Sequence, residues 1–283
     1  MLIADGKGSI SLGNTVKAGN LVIGEGLPKI CVPITGKNRE EILGSARAAA
    51  QVPADMAEWR ADWYESAGSP EDVSGILSMI RGVLGEMPLL MTFRTAIEGG
   101  EQEADTESYQ KLCSDAIRSG YIDLIDVELS SGEDTVRKLI AEARACGVRV
   151  IASSHDFEHT PDKNELIRRL LEMKELGADI LKIAVMPQNR RDVAVLLEVS
   201  AEAADRLDRP VIAVSMGKLG MISRIACEAF GSSVTFAAAS QASAPGQPGA
   251  AELREMLIRL HDSLSETGAD GTDAGTVPCD AGA

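Results

Sequence analysis

Eight short apolar runs recur along the chain at intervals of about 30 residues, and the stretches between them carry apolar residues at helical spacing. The runs are Lys29 to Pro33, Met56 to Ala61, Leu89 to Arg94, Ile122 to Leu129, Val148 to His155, Ile180 to Met186, Val211 to Met216 and Val234 to Ala239. Most are continuous rather than alternating, as strands covered on both faces tend to be. Thr135 to Cys146 and Glu165 to Met173 are two of the intervening helical stretches. Gly120, Gly147 and Gly177 each stand just ahead of a strand, where a glycine supplies the left-handed residue that closes a helix. Strand, helix, glycine, strand, repeated eight times, predicts an α/β fold of the (β/α)8 TIM-barrel type. A doubly wound open sheet would alternate similarly, but it usually carries a glycine-rich phosphate loop after its first strand. Val32-Pro33-Ile34-Thr35-Gly36-Lys37 has neither the dinucleotide-binding nor the P-loop glycine spacing.

Two ends fall outside the repeat. Residues 9–23 read as a β-hairpin, with Ser9 to Leu12 and Asn20 to Ile23 flanking Ala18-Gly19, expected to cap one barrel mouth. Residues 265–283 are rich in Gly, Asp, Thr and Ala and lack apolar periodicity, so a disordered tail is expected there. The domain reading is therefore one catalytic barrel over residues 1–264 and a tail over 265–283.

Composition narrows the function. A length of 283 residues suits one barrel and lets it bury a large core without a disulfide or metal staple. Aromatic residues make up only 3% of the chain, so that core must be aliphatic. A formal charge of -15 argues against a nucleic-acid partner and against docking on an anionic membrane. Arginines in a cleft can still hold a small anion, because local and net charge are separate questions. The five cysteines show no CxxC pair and mostly sit in apolar runs, as reduced, buried thiols do. With no signal-peptide pattern and no apolar run of about 20 residues, a soluble, cytoplasmic protein is expected.

A barrel builds its site at the C-terminal ends of its strands, so polar residues there carry the chemistry. Lys182 sits within Asp179-Ile180-Leu181-Lys182-Ile183-Ala184-Val185-Met186, where burial disfavours the charged amine and a neutral amine is a nucleophile toward a carbonyl. A structural ion pair with a buried carboxylate is the plainer alternative. His155 closes the preceding strand and is the one histidine of three so placed, His159 and His261 lying in a loop and a C-terminal helix. Neighbouring strands bring it toward Lys182 as a general acid–base. Glu58 and Arg60, two apart, share one strand face and would bind substrate or each other. Arg94 ends the third strand, and Glu98 follows before Gly99-Gly100, placed to hold the His155 imidazole in one tautomer or to sit as a loop charge. Arg224 lies near a helix start after the seventh strand, where it can clamp a carboxylate. Ser240 to Gln247 after the eighth strand suits a lid or a plain surface connection. No HxH or HExxH pattern occurs, so metal-free catalysis is expected.

These marks, in order, resemble the type I 3-dehydroquinate dehydratases. They are Glu58-Trp59-Arg60, Phe93-Arg94 with Glu98-Gly99-Gly100, Asp126 to Leu129, Ser153-Ser154-His155-Asp156, Lys182-Ile183-Ala184, Ser223-Arg224 and Ser243-Ala244-Pro245-Gly246-Gln247, within a likeness running from about Asn20 to Leu260. The resemblance implies dehydration of 3-dehydroquinate to 3-dehydroshikimate in the shikimate pathway, without a cofactor, by a homodimer. It also implies that Lys182 forms a Schiff base with the C3 ketone, that His155 takes a C2 proton and helps expel the C1 hydroxyl, and that Glu98 orients His155. Arg224 would hold the substrate carboxylate. Glu58, Arg60, Arg94, Ser243 and Gln247 match binding positions around the substrate hydroxyls and the closing loop, and Met216 matches an apolar wall. Two residues depart from the pattern: Ser154, where the family usually has Asn, Tyr or His, and Pro248 after Gln247. Two other readings share parts of this pattern. A class I aldolase acting on a sugar phosphate would share Lys182 but add a phosphate-binding glycine loop after strand seven or eight. A barrel serving only as a binding scaffold normally drops a catalytic residue, and none of the matched ones is missing here.

Overall fold

The computed structural model describes residues 15–67, 70–239 and 246–266. A short antiparallel hairpin, β1 (Val16–Ala18) and β2 (Leu21–Ile23), turns at Gly19. Its second strand falls where the hydrophobic pattern puts it. The first lies closer to the turn than expected, and Ser9 to Leu12 are outside the described residues.

Eight parallel strands follow: β3 (Lys29–Ile34), β4 (Met56–Arg60), β5 (Leu89–Thr92), β6 (Leu124–Glu128), β7 (Arg149–Asp156), β8 (Ile180–Val185), β9 (Val211–Ser215) and β10 (Val234–Phe236). They pair in sequence order, and β10 returns to pair with β3. A parallel bridge from Val211 to Ser232 brings the last two strands together, so the sheet curls into the predicted barrel. The connecting helices are α1 (Arg39–Ala49), α2 (Pro70–Leu84), α3 (Thr106–Arg118), α4 (Glu133–Cys146), α5 (Lys163–Leu176), α6 (Arg190–Arg206), α7 (Met221–Ile225) and α8 (Ala250–Glu266).

Local chemistry starts and stops these helices. Asn38, Asp105 and Asp162 accept the first free amides of α1, α3 and α5, and Asn189 with Asp192 forms a capping box on α6. The three expected stop glycines all take positive φ, 74° at Gly120, 75° at Gly147 and 94° at Gly177. The seventh unit departs from the repeat, because its helix is a single turn of five residues.

Strand alternation divides the apolar residues into two clusters. One, including Trp59, Met91, Val127, Leu181 and Ile183, lies between the strands and the helices. The other fills the barrel interior with Cys31, Met56, Leu90, Leu124, Ile151, Ile180 and Ile212, and the hairpin residues Val16, Ala18 and Ile23 pack against it. The hairpin therefore plugs the N-terminal mouth, leaving the C-terminal mouth for chemistry. Of the described cysteines, Cys31, Cys113 and Cys227 are buried thiols, whereas Cys146 at the end of α4 is exposed, against expectation. Among the described residues no helix is long and apolar enough to cross a membrane.

Candidate active site

Above Met56, Leu90, Leu124, Ile151 and Ile180, the next inward positions are Glu58, Thr92, Asp126, Ser153 and Lys182, and the interior changes from apolar to polar within one pleat. A layer higher stand Arg60, Arg94, Glu128 and His155. All of these but His155 are less than 9% exposed, so nearly every charge here needs a partner.

Lys182 Nζ lies 2.9 Å from Asp126 Oδ2 and 3.9 Å from Glu58 Oε1, with the Phe236 ring 4.9 Å away. The ion-pair alternative for this lysine is thus present in the structure, and it coexists with an amine that lines the pocket. Burial pushes the Asp126 carboxyl up, but the Arg94 guanidinium and the Lys182 ammonium outweigh burial and hold it well below its usual range. Asp126 also accepts from Ser153 Oγ at 2.5 Å.

His155 stands one pleat above Ser153, the residue that pairs with Lys182 in the β7–β8 register. Its Nδ1 is 2.9 Å from Glu98 Oε2, whose other oxygen accepts from Ser130 Oγ at 2.6 Å. Burial, aided by Arg94 and Lys182, lowers the imidazole well below its usual 6.5, so it is neutral near pH 7. Burial also pushes Glu98 up, to about 7, against the pull of Arg94. With Nδ1–H donated to Glu98, the unprotonated Nε2 is the nitrogen left for the pocket.

The loop that delivers Glu98 is held by two strand-end carboxylates. Asp62 receives Arg60 through both oxygens, at 2.8 and 2.7 Å, and accepts the Arg94 and Glu101 backbone amides. Glu128 accepts Arg94 Nη1 at 2.8 Å, the Thr95 amide at 2.9 Å and Thr95 Oγ1 at 2.6 Å. Gly100 is required where the loop folds back onto Arg94, since a Cβ there would come within 1.8 Å of the Arg94 carbonyl oxygen.

Glu58 and Arg60 share a face as expected, but they do not bridge each other: Arg60 takes Asp62, and Glu58 accepts from Thr92 Oγ1 at 2.9 Å. Arg94 is engaged by Asp126, Glu128, Glu98 and Ser153, which makes it a charge organiser within the wall. Arg224 is buried on α7, and burial lowers its guanidinium to about 10.

One pocket, about 480 Å³ including its mouth, is lined by Glu58, Arg60, Arg94, His155, Lys182, Met216, Arg224 and Gln247. Glu98 stands behind His155, and Ser243 lies outside the described residues. Phe157 and Phe236 also line the pocket and were not singled out from sequence, although two of only four phenylalanines at strand ends were a usable signal. Ser154 points away from the site, toward Arg169 Nη1 at 3.2 Å, and the Pro248 carbonyl accepts the Ala238 amide. Neither departure from the family pattern therefore removes a group from the pocket. Among the described residues no group of three or more His, Cys, Asp or Glu side chains is arranged to hold a metal ion.

Fold and site together define a parallel α/β-barrel enzyme with a buried lysine and a carboxylate-held histidine at the C-terminal strand ends. The type I 3-dehydroquinase family model matches residues 30–263. The 3-dehydroquinate dehydratase of Bacillus licheniformis is 47% identical over 250 residues, covering 88% of this chain and 98% of that protein. A crystal structure of the Clostridium difficile type I enzyme, with covalently modified comenic acid, superposes with a TM-score of 0.86 at 44% identity, covering 89% and 99% of the two chains. The enzyme from Geobacillus kaustophilus gives 0.87 at 36% identity, covering 89% and 98%. The chain belongs to the type I 3-dehydroquinase family.

Proposed function

We propose that this chain converts 3-dehydroquinate to 3-dehydroshikimate, as a shikimate-pathway lyase, through a Schiff base on Lys182. The observation that carries the mechanism is the juxtaposition of a buried amine with an imidazole whose Nδ1 is held by a carboxylate. Lys182 attacks the C3 carbonyl as its ammonium gives up protons, which leave with the carbonyl oxygen as water, and the resulting iminium ion acidifies C2. His155 Nε2 takes the C2 proton and then donates it to the departing C1 hydroxyl. Hydrolysis of the iminium frees the product and the lysine. Glu98 keeps Nε2 unprotonated and aimed at the pocket. The C. difficile relative's covalently modified comenic acid supports a covalent route on this fold.

Around the reacting carbons, Arg224 takes the substrate carboxylate, whose charge offsets the burial of the guanidinium. Glu58, Arg60 and Gln247, with Ser243, meet the hydroxyls, Arg94 organises the acids behind them, and Met216 forms an apolar wall. The catalytic unit is the single barrel, whose last helix α8 runs to Glu266 and so two residues past the expected boundary at 264, the remainder of the tail taking no part, and a cytoplasmic homodimer completes the reading. The test is to follow the conjugated enone of the product by ultraviolet absorbance during turnover of 3-dehydroquinate. Absorbance should grow with the native chain and stay flat with Lys182→Ala, while growth at the native rate in the variant rejects the lysine's role. Light scattering at micromolar concentration should give the dimer mass, and a monomer mass rejects that assignment.

A further inference from the structure

The opposite end of the barrel carries a second constellation of charge. Arg149 opens β7, Asp179 directly precedes β8, Arg144 lies in the last turn of α4 and Arg209 stands just ahead of β9. With Lys17 of the hairpin they line one pocket. Arg149 and His155 are six residues apart on β7, so this pocket lies about 20 Å from the candidate active site.

Four cations thus surround one lining carboxylate in a chain of formal charge -15. Their contacts within the protein leave many of their donors over. Asp179 Oδ1 is 3.5 Å from Arg149 Nη1, while its Oδ2 accepts the Val150 amide at 2.9 Å. Arg149 Nε donates to the Lys17 carbonyl at 3.0 Å, and Arg144 Nη2 reaches the Gly177 carbonyl at 3.5 Å. Arg209 is the best satisfied, donating to the Asp208 carbonyl at 2.7 Å and the Ala178 carbonyl at 3.3 Å, with the Asp208 carboxylate at 3.2 Å. Capping the carbonyl end of α5 accounts for the bonds to Gly177 and Ala178. It does not account for Lys17, whose ammonium has no hydrogen bond or ion pair among the described residues. A guanidinium carries five N–H donors, so Arg144 and Arg149 keep most of theirs for a ligand.

We propose that this pocket binds a small oxyanion of the phosphate class. Asp179 is the carboxylate that lines the pocket, and Asp208 beside Arg209 is already paired with Lys174 at 2.9 Å, so the four cations keep a surplus of at least two positive charges, which suits a phosphate dianion better than a monocarboxylate. Planar guanidinium forks suit tetrahedral oxyanions, and Lys17 adds a point charge from the hairpin side. The bound ion ties together the hairpin, the end of α4 and the entries of β7, β8 and β9, two of which deliver His155 and Lys182 at their far ends.

Isothermal titration of the full chain with inorganic phosphate, at ionic strength held constant with chloride, tests this. One saturable site per chain is expected, at least about tenfold weaker in Arg144→Gln and in Arg149→Gln. Lys17→Gln disturbs no bond within the fold and should weaken binding as well, so a loss there is not misfolding. Phosphate should also raise the melting temperature saturably in the native chain and less in the variants. Absence of a saturable site overturns the proposal. So does undiminished binding in the Arg144→Gln/Arg149→Gln double variant, which would send the ion to the Arg224 end. None of the three substituted residues touches the candidate active site, so turnover of 3-dehydroquinate should survive in all of them whatever phosphate does.

Discussion

The two halves of the barrel interior are built by the same strands with the same alternation, yet they have opposite character. Toward the N-terminal mouth, Met56, Leu90, Leu124, Ile151 and Ile180 meet beneath the hairpin as an apolar plug. One pleat higher the same strands present Glu58, Thr92, Asp126, Ser153 and Lys182. The lower half gains stability from removing apolar area from water. The upper half concentrates charges whose burial costs free energy, and holds them with Asp62, Asp126 and Glu128. A barrel can therefore carry a destabilised reactive layer because the layer beneath it is ordinary core.

Substitutions in the two halves should separate these roles. The largest loss is expected at Lys182→Ala, which should lower kcat by at least about 10⁵-fold by deleting the proposed nucleophile. His155→Ala should lower kcat by about 10²–10⁴-fold while the Schiff base still forms, so that a lysine adduct remains trappable. If trapping is lost as well, the histidine acts earlier than proton transfer from C2. In the lower half, Ile151→Ala should reverse the pattern, costing about 2–5 kcal/mol in urea unfolding with kcat per folded molecule within about threefold of native. A large fall in kcat there would show that the plug and the reactive layer are not separable.

The pH dependence sharpens the comparison within the upper half. Glu98 is pushed up to about 7, whereas His155 is lowered well below 6.5, so the carboxylate loses its charge before the imidazole gains one as pH falls. kcat/KM should therefore decline below about pH 7, approaching tenfold per unit. In Glu98→Gln that decline should be absent until His155 protonates, and an unchanged limb would assign it to another group. Stability follows the same shift. Because Glu98 ionises more easily unfolded, it favours the fold below about pH 4.5 and loses that contribution as pH rises through 7, a slope Glu98→Gln should lack. The smallest effect is expected at Ser154→Asn, which faces Arg169 and should change kcat/KM by less than about threefold.

The barrel, the hairpin plug and the Lys182–His155 pair were legible because each leaves a one-dimensional mark: a repeat, a turn glycine, a polar residue inside an apolar run. Asp126 and Glu128 left the same mark as Glu58 and Arg60, two polar positions one pleat apart, but their roles depend on register. In the β6–β7 register Asp126 stands opposite Ile151 and Glu128 opposite Ser153, and Asp126 reaches diagonally to Ser153 Oγ and to Lys182. Asp62 was hidden for another reason. It lies just past the end of β4, where an acid reads as a helix start, yet it holds Arg60 and the backbone of the Glu98 loop. The family pattern also placed Ser154 next to His155 in sequence, while strand alternation places it on the opposite face.

Covalent attachment of substrate to Lys182 is tested most directly by borohydride reduction during turnover of 3-dehydroquinate, followed by peptide mass spectrometry. A reduced adduct is expected on the peptide containing Lys182, abolished in Lys182→Ala and retained in His155→Ala. Native chain that turns over substrate yet yields no adduct, or an adduct on another lysine, would contradict it.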